Sequence, residues 1–174
     1  MPEDLQEQEW KDLGYGIRMN TGYDVQFIVG QMEVMGNDGK IYHVNGCCDH
    51  DNQRIIIRVD SEKYSARQLG KHEEFHALAQ RDQGLVRAVR DKLADQYGRE
   101  QMASIVKGYI LKRRGINDIE NGGQDAFTQE FDELWEELFA DAYGGMNAFE
   151  MGANRYRLRS EERCVGKECR SRWS

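Results

Sequence analysis

The sequence predicts an α+β domain in which a small antiparallel β-meander precedes a helical bundle. Three observations carry that expectation. Between Val25 and Val59 the apolar residues come in short β-branched or alternating runs, Asp38-Gly39 stands between two of those runs as a hairpin turn, and from Ser65 onward apolar residues recur at helical spacing. Strands gathered first and helices afterwards give the α+β class rather than alternating βαβ units.

Taken in order, the acidic opening from Pro2 to Leu13 predicts a short helix closed by Gly14 and Gly16. Strands are expected at Val25–Val29, Gln31–Met35, Lys40–Cys47 and Gln53–Val59, separated by Gly30, Asn37-Asp38-Gly39 and Asp49-His50-Asp51-Asn52. Helices are expected over 65–80, 84–97, 99–114 and 128–144, with Gly115, Asn117 and Asn121-Gly122-Gly123 marking the longest break. Ser65 and Gln68 have the spacing of a capping box at the start of the first of these. The chain contains no internal repeat and no low-complexity segment.

The helix that begins at Ser65 carries His72-Glu73-Glu74-Phe75-His76. Positions four apart project from one helical face, so the two imidazoles can grip a single metal ion, on a stripe with Leu69 and Ala79 that faces inward. Glu73 lies about 100° round the turn, which suits a general base acting on a water at the open side of the metal better than it suits a third ligand. Catalytic zinc takes three protein ligands and leaves one position open. The third is sought in Phe127 to Ala148, where Phe131, Leu134, Leu138 and Ala142 repeat at helical spacing and Glu137 and Asp141 stand four apart. A carboxylate at Glu137 completes the coordination, and Asp141 accepts the outer N–H of a liganding histidine. Glu133 and Glu136 remain alternatives for the third ligand. Ala140, Gly144 and Gly145 favour Glu137, because small residues let two helices approach closely.

HEEFH followed on a later helix by Glu137-Leu138-Phe139-Ala140-Asp141 resembles the gluzincin branch of the zinc metallopeptidases, whose pattern is HExxH followed by ExxxD. GKHEEFHALAQRDQ with EELFADAYGGMNAF is similar to metallopeptidase domains of polyvalent proteins from phages and mobile elements, over about residues 40 to 150. The resemblance implies a zincin-like domain with Zn2+ on His72, His76 and Glu137, catalysis by Glu73 and support from Asp141. The interval from His76 to Glu137 is longer than in the best-known gluzincins. In zincins the strand before the metal helix generally receives substrate. Here that strand is Gln53 to Val59, read either as an edge that pairs with an extended peptide or, from Ile55-Ile56-Ile57, as an interior strand.

Arg159 to Ser174, RSEERCVGKECRSRWS, resembles the in-frame translation of a common sequencing-library adapter, with Cys164 where Arg is expected. The domain is therefore read as residues 1–158, with 159–174 a non-native, unpacked tail and the natural protein continuing past Leu158. Of 24 basic and 31 acidic residues, five and three lie in the tail, so 19 and 28 remain and the formal charge moves from −7 to −9. An acidic body argues against nucleic-acid binding, and Lys107, Lys112, Arg113 and Arg114 read as a solvated helical face. Cysteine falls from four to two, and neighbours Cys47 and Cys48 are poorly placed to bridge each other, so no disulfide framework is expected. With no signal peptide and no long apolar run, the expectation is a soluble cytoplasmic protein without membrane partners.

Other polar candidates carry less. Tyr143 is a conceivable oxyanion donor but points away from Glu137 on an ideal helix, which makes it a packing residue. His43 reads as part of an alternating strand and His50 as a turn residue, while Cys47-Cys48-Asp49-His50 is too cramped for a second closed metal site. The function expected is zinc-dependent hydrolysis of a protein or peptide, the parent polyprotein included. Its alternatives are a catalytically idle zinc-binding module and a metal-free interaction module.

Overall fold

The computed structural model describes residues 3–36, 38–114, 125–146 and 169–171. Its first helix, α1 (Glu3–Thr21), runs straight through the two glycines expected to end it. Trp10, Leu13 and Ile17 lie along one stripe that packs into the core, with Ile17 fully buried, and that burial offsets the roughly 1 kcal/mol cost of each glycine in a helix. Gly14 also lets the helix lie close to the sheet, since a Cβ there would stand 3.3 Å from the Phe27 ring. The stop comes at Gly22, whose φ of +76° is open to glycine and whose N–H donates to the Arg18 carbonyl at 2.7 Å.

Five short strands follow: β1 (Asp24–Ile28), β2 (Met32–Met35), β3 (Ile41–Val44), β4 (Gly46–Asp49) and β5 (Arg54–Arg58). The hairpin around Asp38-Gly39 is present as the antiparallel pair β2–β3, with Met32 opposite Val44 and Met35 opposite Ile41. The region expected as one strand from Lys40 to Cys47 is divided at Asn45, so that β3 stays with β2 while β4 turns to pair antiparallel with β5. The turn that follows is displaced to residues 50–53 and closes at Gln53, φ +49°.

Instead of a single meander the strands among the described residues form two three-stranded sheets, β1-β5-β4 and β3-β2-β6, the last strand being β6 (Cys169–Ser171). In the first, β1 runs parallel to β5, with Val25 opposite Ile55 and Phe27 opposite Ile57. That makes β5 an interior strand with both sides paired, so the edge alternative for Gln53–Val59 is excluded. Its continuous apolar run has a matching cause. Ile55 and Ile57 face the helices, Ile56 faces the other way into a smaller cluster with Ile28, Met32, Val34, Val44 and Cys47, and all three are buried.

The expectation of an unpacked tail is corrected at three residues. Cys169–Ser171 forms β6, antiparallel to β2 with Val34 opposite Cys169. β3 covers one edge of β2, and the other edge accepts this extended segment, since strand pairing depends little on sequence. The expected absence of disulfides is corrected too. Cys48 is free and buried, whereas Cys47 is disulfide-bonded.

The helices are α2 (Ala66–Arg81), α3 (Leu85–Tyr97), α4 (Arg99–Arg114) and α5 (Asp132–Tyr143), the last entered through a 3-10 turn at Gln129–Phe131. α2 opens with the capping box, Ser65 Oγ accepting from the Gln68 N–H at 3.1 Å and Gln68 Oε1 from the Ser65 N–H at 3.0 Å. It lies between the first sheet and α5. Gly115, Asn117 and Asn121-Gly122-Gly123 fall outside the described residues. Among those described, no helix is long and apolar enough to cross a membrane.

Candidate metal centre

Two close approaches set the position of α2. On the sheet side a Cβ at Gly70 would come 3.0 Å from Ile57 and 3.1 Å from Ile17, so α1, α2 and β5 meet at a residue without a side chain. On the other side a Cβ at Gly144 would stand 2.7 Å from the Gln68 carbonyl oxygen. Only glycine fits there, and Ala140 beside it is fully buried. These small residues bring α5 against the histidine face of α2.

His72 and His76 from α2 and Glu137 from α5 converge, each buried, with one ligand atom from each within 4.8 Å of the others. The Nε2 atoms of the two rings are 3.2 Å apart. Glu137 Oε1 lies 3.2 Å from His76 Nε2, and Oε2 lies 3.7 Å from His72 Nε2. Ligand atoms sharing a tetrahedral ion at 2.0–2.2 Å stand about 3.3–3.5 Å apart, so these separations fit one.

Behind each ring stands a carboxylate. His76 Nδ1 is hydrogen-bonded to Glu136 Oε1 at 2.7 Å. His72 Nδ1 lies 2.8 Å from Asp141 Oδ1, near enough for strong electrostatic contact although the pair is not aligned as a hydrogen bond. Asp141 is in turn held by the buried Tyr109 of α4, whose hydroxyl donates to Oδ2 at 2.8 Å. With each ring protonated at the Nδ1 that faces a carboxylate, the Nε2 lone pairs would face each other across 3.2 Å. Facing lone pairs repel. A cation placed among them and Glu137 turns that repulsion into coordination, and the buried group could hold a metal ion.

Glu73 is 2 % exposed and lies against β4, where a Cβ on Gly46 would stand 2.9 Å from its Oε1. Glu74, fully buried, belongs to a separate structural network. It accepts from Asn20 and from Lys71, each at 2.8 Å, and from Tyr143 at 3.5 Å. Tyr143 also packs on Phe75 with ring centroids 5.9 Å apart, which agrees with the packing role expected of it.

Of the alternative ligands, Glu136 meets the wrong nitrogen of His76 for shared coordination with Nε2, and Glu133 is outside the converging group. His43 is on β3 beside Glu33 at 4.0 Å, and His50 accepts or donates at Nδ1 with Tyr23 at 3.0 Å. Neither joins the centre. Sequence reasoning missed Glu136 as a partner of His76, Tyr109 as a partner of Asp141, and Gly46. The first had a signal, its place next to Glu137, obscured because an acidic run reads as a solvated face. Comparison with protein-family models, with curated proteins and with solved structures finds no match.

Proposed function

We propose that this domain is a zinc-dependent metallopeptidase that hydrolyses peptide bonds in a protein or peptide, with Glu73 as general base. The observation that carries the reading is the convergence of His72, His76 and Glu137 from two helices around one point. Two imidazoles and one carboxylate are a ligand set typical of catalytic zinc, which keeps a fourth position for the reaction, whereas structural zinc sites are closed by four protein ligands. Zinc, when bound, supplies a Lewis acid that polarises a carbonyl and makes a water acidic near neutral pH.

The chain's own residues supply the rest. His72, His76 and Glu137 fix the ion, Asp141 and Glu136 hold the two rings from behind, and Glu73 takes a proton from the attacking water and returns it to the leaving amine.

The test joins zinc content by mass spectrometry to hydrolysis of casein or of the chain itself. One zinc per chain, with turnover falling by roughly 10²–10⁴-fold in Glu73→Ala while zinc is kept, is the expected result. Equal turnover in the two proteins would overturn the peptidase reading. Zinc retained with no turnover in either would leave an idle metal-binding module.

A further inference from the structure

His76 is hydrogen-bonded through Nδ1 to a carboxylate, whereas Nδ1 of His72 is not. Glu136 Oε1 lies 2.7 Å from Nδ1, on the far side of the ring from the Nε2 atom that meets His72 and Glu137. The side chain of Glu136 is 16 % exposed, so it is seated at the rim of the core, while the ring it holds is 1 % exposed. Glu136 and Glu137 are neighbours on α5 and differ by about 100° in direction, so one helix presents an acid to the front of the imidazole pair and another to the back of one ring.

We propose that Glu136 is a positioning residue of the metal centre, acting through His76. It fixes the proton of His76 on Nδ1, sets the ring's rotation, and by its charge raises the electron-donating power of Nε2. The inference rests on the reading of His72, His76 and Glu137 as a zinc site. A charged acceptor gives a hydrogen bond roughly twice as strong as a neutral one, so the carboxylate does more here than an amide would. Asp141 gives His72 a comparable neighbour, but one supported by Tyr109 and misaligned with the ring, so the two histidines are not equivalent. His76 is the more firmly oriented.

The experiment compares wild type, Glu136→Gln and Glu136→Ala, with His76→Ala as the reference for a lost ligand. Zinc affinity measured by chelator competition should fall about 10–100-fold in Glu136→Ala and be partly restored in Glu136→Gln, which keeps an acceptor oxygen without the charge. The visible spectrum of the Co2+-loaded protein should shift in Glu136→Ala, reporting a reoriented ring that a purely structural change at the rim would not produce. In metal-free protein, side-chain 15N NMR should find His76 protonated at Nδ1 in wild type and a mixture of tautomers in Glu136→Ala. Affinity within twofold of wild type, an unchanged cobalt spectrum and an unchanged tautomer would overturn the role of Glu136 while leaving the zinc site standing. If wild type binds zinc no better than His76→Ala, the zinc reading itself falls and the role of Glu136 at that centre falls with it. The tautomer measurement then still shows whether Glu136 orients the ring.

Discussion

Gly46 of β4 lies against Glu73 of α2 so closely that a Cβ at Gly46 would stand 2.9 Å from Oε1 and 3.2 Å from Cγ of the glutamate. The backbone of the strand is thus one wall of the space that the proposed base occupies. Gly46→Ala should displace the Glu73 side chain, lower turnover about tenfold and leave zinc content unchanged. It should cost about 1–3 kcal/mol of stability, as overpacking does. Activity, metal analysis and urea denaturation on the same preparation check this, and unaltered turnover would show that Glu73 adjusts freely.

Gly144→Ala should be more damaging. The new methyl group would meet the backbone oxygen of Gln68 at 2.7 Å, where no flexible side chain can give way. α5 would be forced from α2, and Glu137 would leave the two histidines. We expect loss of zinc binding together with a drop of more than about 2 kcal/mol in stability, seen by metal analysis and thermal melting.

Tyr109→Phe removes the hydroxyl that donates to Asp141 Oδ2 at 2.8 Å inside the core. A hydrogen bond to a charged group contributes about 1.5–3 kcal/mol, so the free energy of unfolding should fall by that amount. Zinc affinity should fall less than in Asp141→Ala, because Asp141 itself still faces His72. A calorimetric melt with chelator competition distinguishes the two effects.

Chelating the metal should lower the melting temperature, and added Zn2+ should raise it in a concentration-dependent way. His72 and His76 lie on α2 and Glu137 on α5, far apart in sequence, so the binding free energy is available only to the folded chain. At a free metal concentration about 1,000 times the dissociation constant the gain is about 4 kcal/mol. A melting curve indifferent to EDTA would count against any resident ion.

Burial, with Cys48 and Asp49 adding negative charge nearby, pushes the Tyr23 phenol from an ordinary 10.0 up to about 12. A raised folded-state value means the neutral phenol is the form that folding favours. The associated stability is therefore full below pH 10 and is lost as pH rises through about 12. Tyr23→Phe should flatten this alkaline limb of the stability curve, measured by denaturation between those limits.

α2 and its metal face are legible in the sequence because every signal there is local: the capping box at Ser65 and Gln68, the i, i+4 histidines and a stripe of apolar residues. Glu137 and Asp141 are legible for the same reason, as one face of α5. What is not legible is non-local. The parallel pairing of β1 with β5 joins Val25 to Ile55, and nothing in either run declares the partner or its direction. Gly14 and Gly16 read as helix ends because their cost is local, whereas the compensation at Phe27 and Ile17 comes from tertiary packing. Tyr109 has no motif at all; only the docking of α4 on α5 brings it to Asp141.

The β2–β3 hairpin leaves and rejoins the first sheet at adjacent points. The Val59 N–H donates to the Ile28 carbonyl and the Arg58 N–H to that of Asn45, both at 2.9 Å. The arm between them rests on Ile56, on the face of β5 turned away from α2. The packing of the arm on Ile56 is therefore separate from the packing of Ile55 and Ile57 under the helices. Changes of length at the hairpin tip near Asp38 should be tolerated far better than equal changes at the turn after Asp49.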